Sequence, residues 1–266
     1  MERHNSIDKQ RYYSELIKKY ETGTAAFLKN ETEILNICRQ EPATAACKLF
    51  KLAEDALNAA SLYVVISNLN NVVFGLKNEE SLGEARKCLS KAIIYIENVV
   101  TNKIDALYSE YEASLAELAE IKQEEKLYVI RKIGLTIDII KLAYGDVNRW
   151  KWAFVEIEGR FAAIAKNLLD LRKAQANESK NADYIHIANH VKLVKHLLDK
   201  TATRYIERYE LSTKHASDIL NAINFMSALE RIKNLTGDTE SMEIVRKKLD
   251  AWKIRYEFER KPQVKS

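Results

Sequence analysis

His186 and His190 stand four residues apart in "DYIHIANH", with Asp183 one turn earlier. On a helix that spacing stacks two imidazoles on one face, an arrangement able to hold a single divalent metal. A metal bundle needs more than this. Di-metal bundles draw Glu-x-x-His pairs from two helices, and no such motif occurs in the chain. The two histidines sit beside an apolar series rather than in it, so they are expected as a surface pair without metal.

The stretch "NRWKWAFVEIEGRFAAIAKNLLDL", residues 148–171, concentrates aromatic and charged side chains. At 100° per residue, Trp150, Phe154, Ile157, Phe161, Ile164, Leu168 and Leu171 share one face, which reads as core. Trp152 points about 200° away from Trp150 at that angle and joins Arg149, Glu156, Arg160 and Asn167 on another stripe. Two readings compete for it: packing against a further helix, or an exposed aromatic–arginine patch of the kind enriched at protein–protein hot spots. Arg149, Trp152, Glu156 and Arg160 are therefore the candidate protein-binding residues. An indole beside an ion pair supplies no nucleophile, oriented base or oxyanion donor. Gly159, Ala162 and Ala163 are small and lie off the seam, which lets a second helix approach closely.

Glycine-rich phosphate loops, G-x-S-x-G and H-E-x-x-H are all absent. No catalytic, cofactor-binding or metal-binding residue is assigned, and a non-enzymatic protein is expected. Two basic features remain. Lys192, His196, Lys200, Arg204 and Arg208 climb one helix in steps of four, with Asp199, Glu207 and Glu210 interleaved. Residues 246–266 hold eight Lys and Arg against three acids, including Arg246, Lys247, Lys248, Lys253 and Arg255. The net charge of that segment is +5 and of the whole chain +4, so the basic charge gathers at the C-terminal end. It could meet an acidic protein, a membrane surface or nucleic acid. A basic helix that docks its Val245, Leu249, Trp252 and Tyr256 face on the bundle is the simpler expectation.

These side chains must be positioned by helices. The 266 residues contain only two prolines and seven glycines, with 47% apolar and 30% charged residues. Few breakers with mixed charge describe an all-α chain rather than a disordered one. The three cysteines (Cys38, Cys47 and Cys88) lack C-x-x-C spacing and fit free thiols in a reducing cytosol. The opening "MERHNSIDKQRYYSE" has no apolar core of a signal peptide, so a cytoplasmic location is expected. The most hydrophobic window, "SLYVVISNLNNVVFGL", is cut by Asn68, Asn70 and Asn71 and is read as too short and polar to span a bilayer.

A helix from Ser6 to about Tyr20 is predicted to close at Gly23, with a second beginning at Thr24. Pro42 suits the first turn of a third, which carries the seam Leu49, Leu52, Ala56, Ala59, Tyr63, Ile66, Asn70 and Val73, apolar but for Asn70, and ends at Gly75. From Ser81 to Tyr144 one apolar phase runs through Val100, Leu107, Tyr111, Leu118, Tyr128, Leu135 and Leu142. It predicts one helix of roughly 60 residues, about 90 Å long, the alternative being two helices meeting near Lys122. One helix is predicted from Asp146 to about Asn177. A second very long one follows from Asn181 to Leu235, and a final helix begins after Asp238.

The fold expected is an elongated antiparallel bundle of about six to seven helices with coiled-coil-like packing, two of them very long. It forms one domain over residues 1–260, with a disordered basic tail expected over 261–266. The function expected is a cytoplasmic scaffold or adaptor that presents helical surfaces to protein partners and self-associates as a homodimer. The alternatives are a BAR-like binder of anionic membranes and a nucleic-acid binder using the C-terminal helix.

Overall fold

The structure, a computed structural model, describes residues 2–145, 148–176, 179–180 and 182–260, with backbone alone for residues 2–9, 148 and 149. In chain order the elements are α1 (Glu2–Gln40), a 3₁₀ turn (Pro42–Thr44), α2 (Ala45–Phe74), α3 (Glu79–Val100), α4 (Tyr108–Ala116) and α5 (Gln123–Tyr144). There follow α6 (Asn148–Lys151), α7 (Ala153–Asn167), α8 (Leu171–Gln175), α9 (Tyr184–Arg208), a π turn (Tyr209–Thr213), α10 (Ala216–Leu235) and α11 (Met242–Arg260). The fold is an all-α antiparallel bundle, 85% helical. Among the described residues there is no strand, and nine helices have seven residues or more, which exceeds the expected six to seven. The chain sorts into two compact units, one of residues 1–99, 116–121 and 128–150, the other of 100–115, 122–127 and 151–266.

In the first unit α1 and α2 form a hairpin around the Pro42 turn. The predicted break at Gly23 does not occur, and α1 continues through it for 39 residues. Gly23 serves packing instead: a Cβ there would lie 3.1 Å from Leu62 Cδ1. Along α2, Leu52, Ala53, Ala56, Leu57 and Ala60 are wholly buried. The buried Glu31 carboxylate of α1 takes Lys91 Nζ of α3 at 2.7 Å and the Tyr95 hydroxyl. As predicted, α2 ends at Gly75, whose φ of 68° is left-handed and whose N–H donates to Asn71 O. The segment Pro42–Phe74 is long and apolar enough to cross a membrane by length and composition, which corrects the reading of its hydrophobic window as too short.

The 60-residue helix predicted over 81–144 is broken twice. Thr101, at φ 87°, ends α3, and residues 117–122 separate α4 from α5, close to the predicted alternative junction at Lys122. The predicted phase also picks the wrong side of α5. Leu127, Ile130, Ile133, Ile137, Ile140 and Tyr144 are the buried face, while Tyr128, Leu135 and Leu142 are exposed. Both series repeat every three or four residues, so periodicity alone does not choose between them.

In the second unit α7 packs on α9, α9 on α10 and α10 on α11. The helix predicted over 146–177 is divided at Trp152 and again at Leu168–Asp170, where Asp170 caps α8 by accepting from Lys173 N. The helix predicted over 181–235 folds back at residues 209–215, with Lys214 at φ 53°. The buried Asp218 carboxylate holds that reversal: it takes Arg208 Nε at 3.0 Å, and the Thr213 hydroxyl donates to it. Folding back lets the apolar seams of α9 and α10 cover each other, which one straight rod could not do. On α11, Val245 and Leu249 are buried and Trp252 and Tyr256 half-buried, the face predicted.

Candidate functional site

Trp152 stands at the turn before α7 and is half-buried, with Lys151 Nζ 4.7 Å and the Arg204 guanidinium 5.8 Å from its ring centre. Glu156 is exposed, yet it accepts from the Tyr205 hydroxyl at 3.2 Å and faces Arg208 Nη1 at 3.5 Å. Burial first, then the Glu156 charge, pushes the Tyr205 hydroxyl above its ordinary range. Arg204 lies between Glu158 at 3.5 Å and Glu207 at 2.8 Å. Around Trp152 and Glu156 the chain thus assembles an ion-pair layer that joins α7 to α9. Arg160 is half-buried, and the side chain of Arg149 lies outside the described residues.

The basic residues divide in two. Arg246 pairs with Glu230, Lys247 with Glu243, Lys248 with Asp199 and Arg255 with Glu210. Lys192, Lys200 and Lys253 are exposed and form no ion pair among the described residues. A shallow open recess of about 430 Å³ lies between Tyr184, Val191, Lys195 and Asp238. Of its charged groups, Asp238 takes Lys195 at 2.7 Å and Lys233 at 3.0 Å, while Lys192 also lines the recess.

The predicted surface pair of histidines is corrected: His186 is half-buried and His190 fully buried. His190 Nε2 lies 2.9 Å from Ala165 O and Nδ1 2.9 Å from Gln123 Nε2. A carbonyl can only accept, so Nε2 carries the proton and Nδ1 accepts from the Gln123 amide. Burial lowers its pKa to about 4, and the ring is neutral at pH 7. Both ring nitrogens are therefore committed within the fold. Among the described residues no three His, Cys, Asp or Glu side chains gather at metal-binding distance.

Lys166, which periodicity passed over, and Asn167, which it placed on the Trp152 stripe, are buried and tie down the segment that precedes α4. Lys166 Nζ donates to Ala106 O at 3.0 Å, and Asn167 Nδ2 donates to Thr101 O at 2.9 Å and Lys103 O at 3.1 Å. Burial, then the nearby Arg231 charge, lowers the Lys166 pKa to about 8.

The feature best placed to meet another molecule is the outer face of α5. Tyr128, Leu135 and Leu142 are 53%, 62% and 78% exposed at intervals of seven, with Ile139 half-exposed among them. A helix buried on one side and apolar on the other has a face that the described residues of the chain do not cover. The signal was visible as two interleaved apolar series in one helix. A second outward set, Ile244, Ile254 and Phe258, lies on α11.

The sequence model of the TP0443 family matches residues 9–260. The chain belongs to the TP0443 family. The TP0443 match runs from within α1 to the last residue of α11 and so includes the α5 face, the Lys166–Asn167 ties and the His190 site. No curated protein and no solved structure matches the chain.

Proposed function

We propose that this TP0443-family chain is a non-enzymatic cytoplasmic scaffold that docks protein partners on outward helical faces, the α5 face foremost. The observation that carries the reading is the heptad-spaced exposure of Tyr128, Leu135 and Leu142 opposite a fully buried face. Apolar side chains at that spacing fit a partner helix, which would remove them from water at about 25 cal/mol per Å². The free thiols Cys38, Cys47 and Cys88 suit a reducing compartment. The ion-pair layer at Trp152 favours that residue as a brace between helices over an anchor for a partner.

A photo-crosslinking residue placed at Leu135 or Leu142 in cells producing the protein tests this. Protein adducts are expected at both positions and few at Lys29, an exposed control on α1. Adduct levels no higher than at Lys29 would dismiss the reading.

The outward Ile244, Ile254 and Phe258, with the exposed Lys253 beside them, favour a second reading, a peripheral contact with anionic membranes. It is the weaker one, because four of the basic residues nearby are already paired with carboxylates. Sedimentation with phosphatidylserine vesicles at low salt should show binding that Ile254→Asp removes. Protein left wholly in the supernatant would discard this alternative.

A further inference from the structure

The outer face of α5 carries charges as well as apolar groups, and their order is informative. Arg131 and Asp138 are both exposed, lie one heptad apart on the same flank of the Tyr128–Leu135–Leu142 stripe, and form no ion pair among the described residues. Lys132, on the other flank, is occupied: it reaches Glu54 at 3.0 Å and lies 5.2 Å from the Tyr128 ring centre. It therefore presents its stem rather than a bare charge.

We infer that the occupant of this face is a second copy of the chain, paired through α5 against α5 in antiparallel order about a two-fold axis close to Leu135. This deepens the docking reading given above and rests on it. An isologous interface brings each contact twice, residue i of one copy meeting j of the other and j meeting i. Reversing α5 about Leu135 sets Leu135 beside its counterpart and turns Tyr128 towards Ile139 and Leu142 of the second copy. The same operation places Arg131 next to Asp138 of the second copy, and Asp138 next to its Arg131. A parallel pairing would turn that flank towards the opposite one, setting Arg131 near Lys132 of the second copy, like charge beside like, and Asp138 near Ile139. The charge order thus selects both the occupant and its direction, while the apolar stripe supplies the attraction.

The test is light scattering after size exclusion on the full chain over a dilution series, with circular dichroism to confirm helicity. The expected mass is twice the 30.6 kDa of one chain. Leu135→Glu, at an exposed position, should keep the helix signal and give the single-chain mass. Arg131→Asp and Asp138→Arg should each raise the dissociation constant about tenfold by opposing like charges, and the two together should restore it. A single-chain mass at every concentration overturns the inference, as does a dimer indifferent to Leu135→Glu. Failure of the double reversal to rescue overturns the antiparallel register. If the unaltered chain is single while the Leu135 crosslinker still captures a different protein, self-pairing falls and the docking reading stands.

Discussion

The side-chain amide of Asn167 donates to the backbone carbonyl of Thr101 at 2.9 Å and, from the same nitrogen, to Lys103 at 3.1 Å. Those carbonyls belong to the segment where the apolar pattern predicts uninterrupted helix. A helix that stops leaves its last carbonyls without partners, and burial makes that costly unless a side chain supplies donors. Asn167, fully buried on α7, supplies them. Asn167→Ala should therefore lower unfolding free energy by about 1–3 kcal/mol, the range for stranding buried polar groups. Urea denaturation measures it; unchanged stability would show that the tie contributes nothing.

Lys166 makes stability depend on alkaline pH. Its folded pKa of about 8 is below the ordinary 10.5, so between those values the unfolded chain binds more protons and stability rises with pH. The burial penalty is fully present below pH 8. The stability difference between the unaltered protein and Lys166→Met should shift in favour of the unaltered protein from pH 8 to 9.5. A difference that stays flat would mean that the amine is not desolvated.

For His190 the window is acidic. Burial depresses its pKa from 6.5 to about 4, so stability is lost as pH falls through that interval, where the unfolded imidazole gains its proton first. Nitrogen chemical shifts should report a neutral ring protonated on Nε2 at pH 5.5. An imidazolium signal at that pH would contradict the hydrogen-bond assignment.

Gly159 is where α7 meets α9. A Cβ on it would lie 2.5 Å from the Tyr205 hydroxyl oxygen, and the Tyr205 ring is buried and stacked on Phe225 with centres 5.6 Å apart. Alanine gains about 1 kcal/mol of helix propensity over glycine, whereas overpacking costs about 1–3 kcal/mol. Because Tyr205 is held by its stacking, the cost should prevail, and Gly159→Ala should lower the melting temperature. A rise would mean that Tyr205 moves aside freely.

The close approach at Gly159 was legible in the sequence, since three small residues lay off an otherwise bulky seam. So were the all-α class, the Gly75 stop and the buried face of α11. Each follows from local chemistry: propensity, a left-handed turn or one unambiguous apolar series. The outward face of α5 was legible only as half of a pair of series, and His190 looked like a surface residue because it lay beside its seam.

The sequence by itself determined that this chain is helical and roughly which side chains seek burial. Where the long apolar runs break, and which of two apolar faces is covered, was decided by tertiary structure. The physical reason is that a rod's seam is satisfied only by contact with another seam. The break at Thr101 leaves carbonyls that the distant Asn167 and Lys166 satisfy, and the reversal over 209–215 is held by the Asp218 carboxylate through the Arg208 and Thr213 side chains.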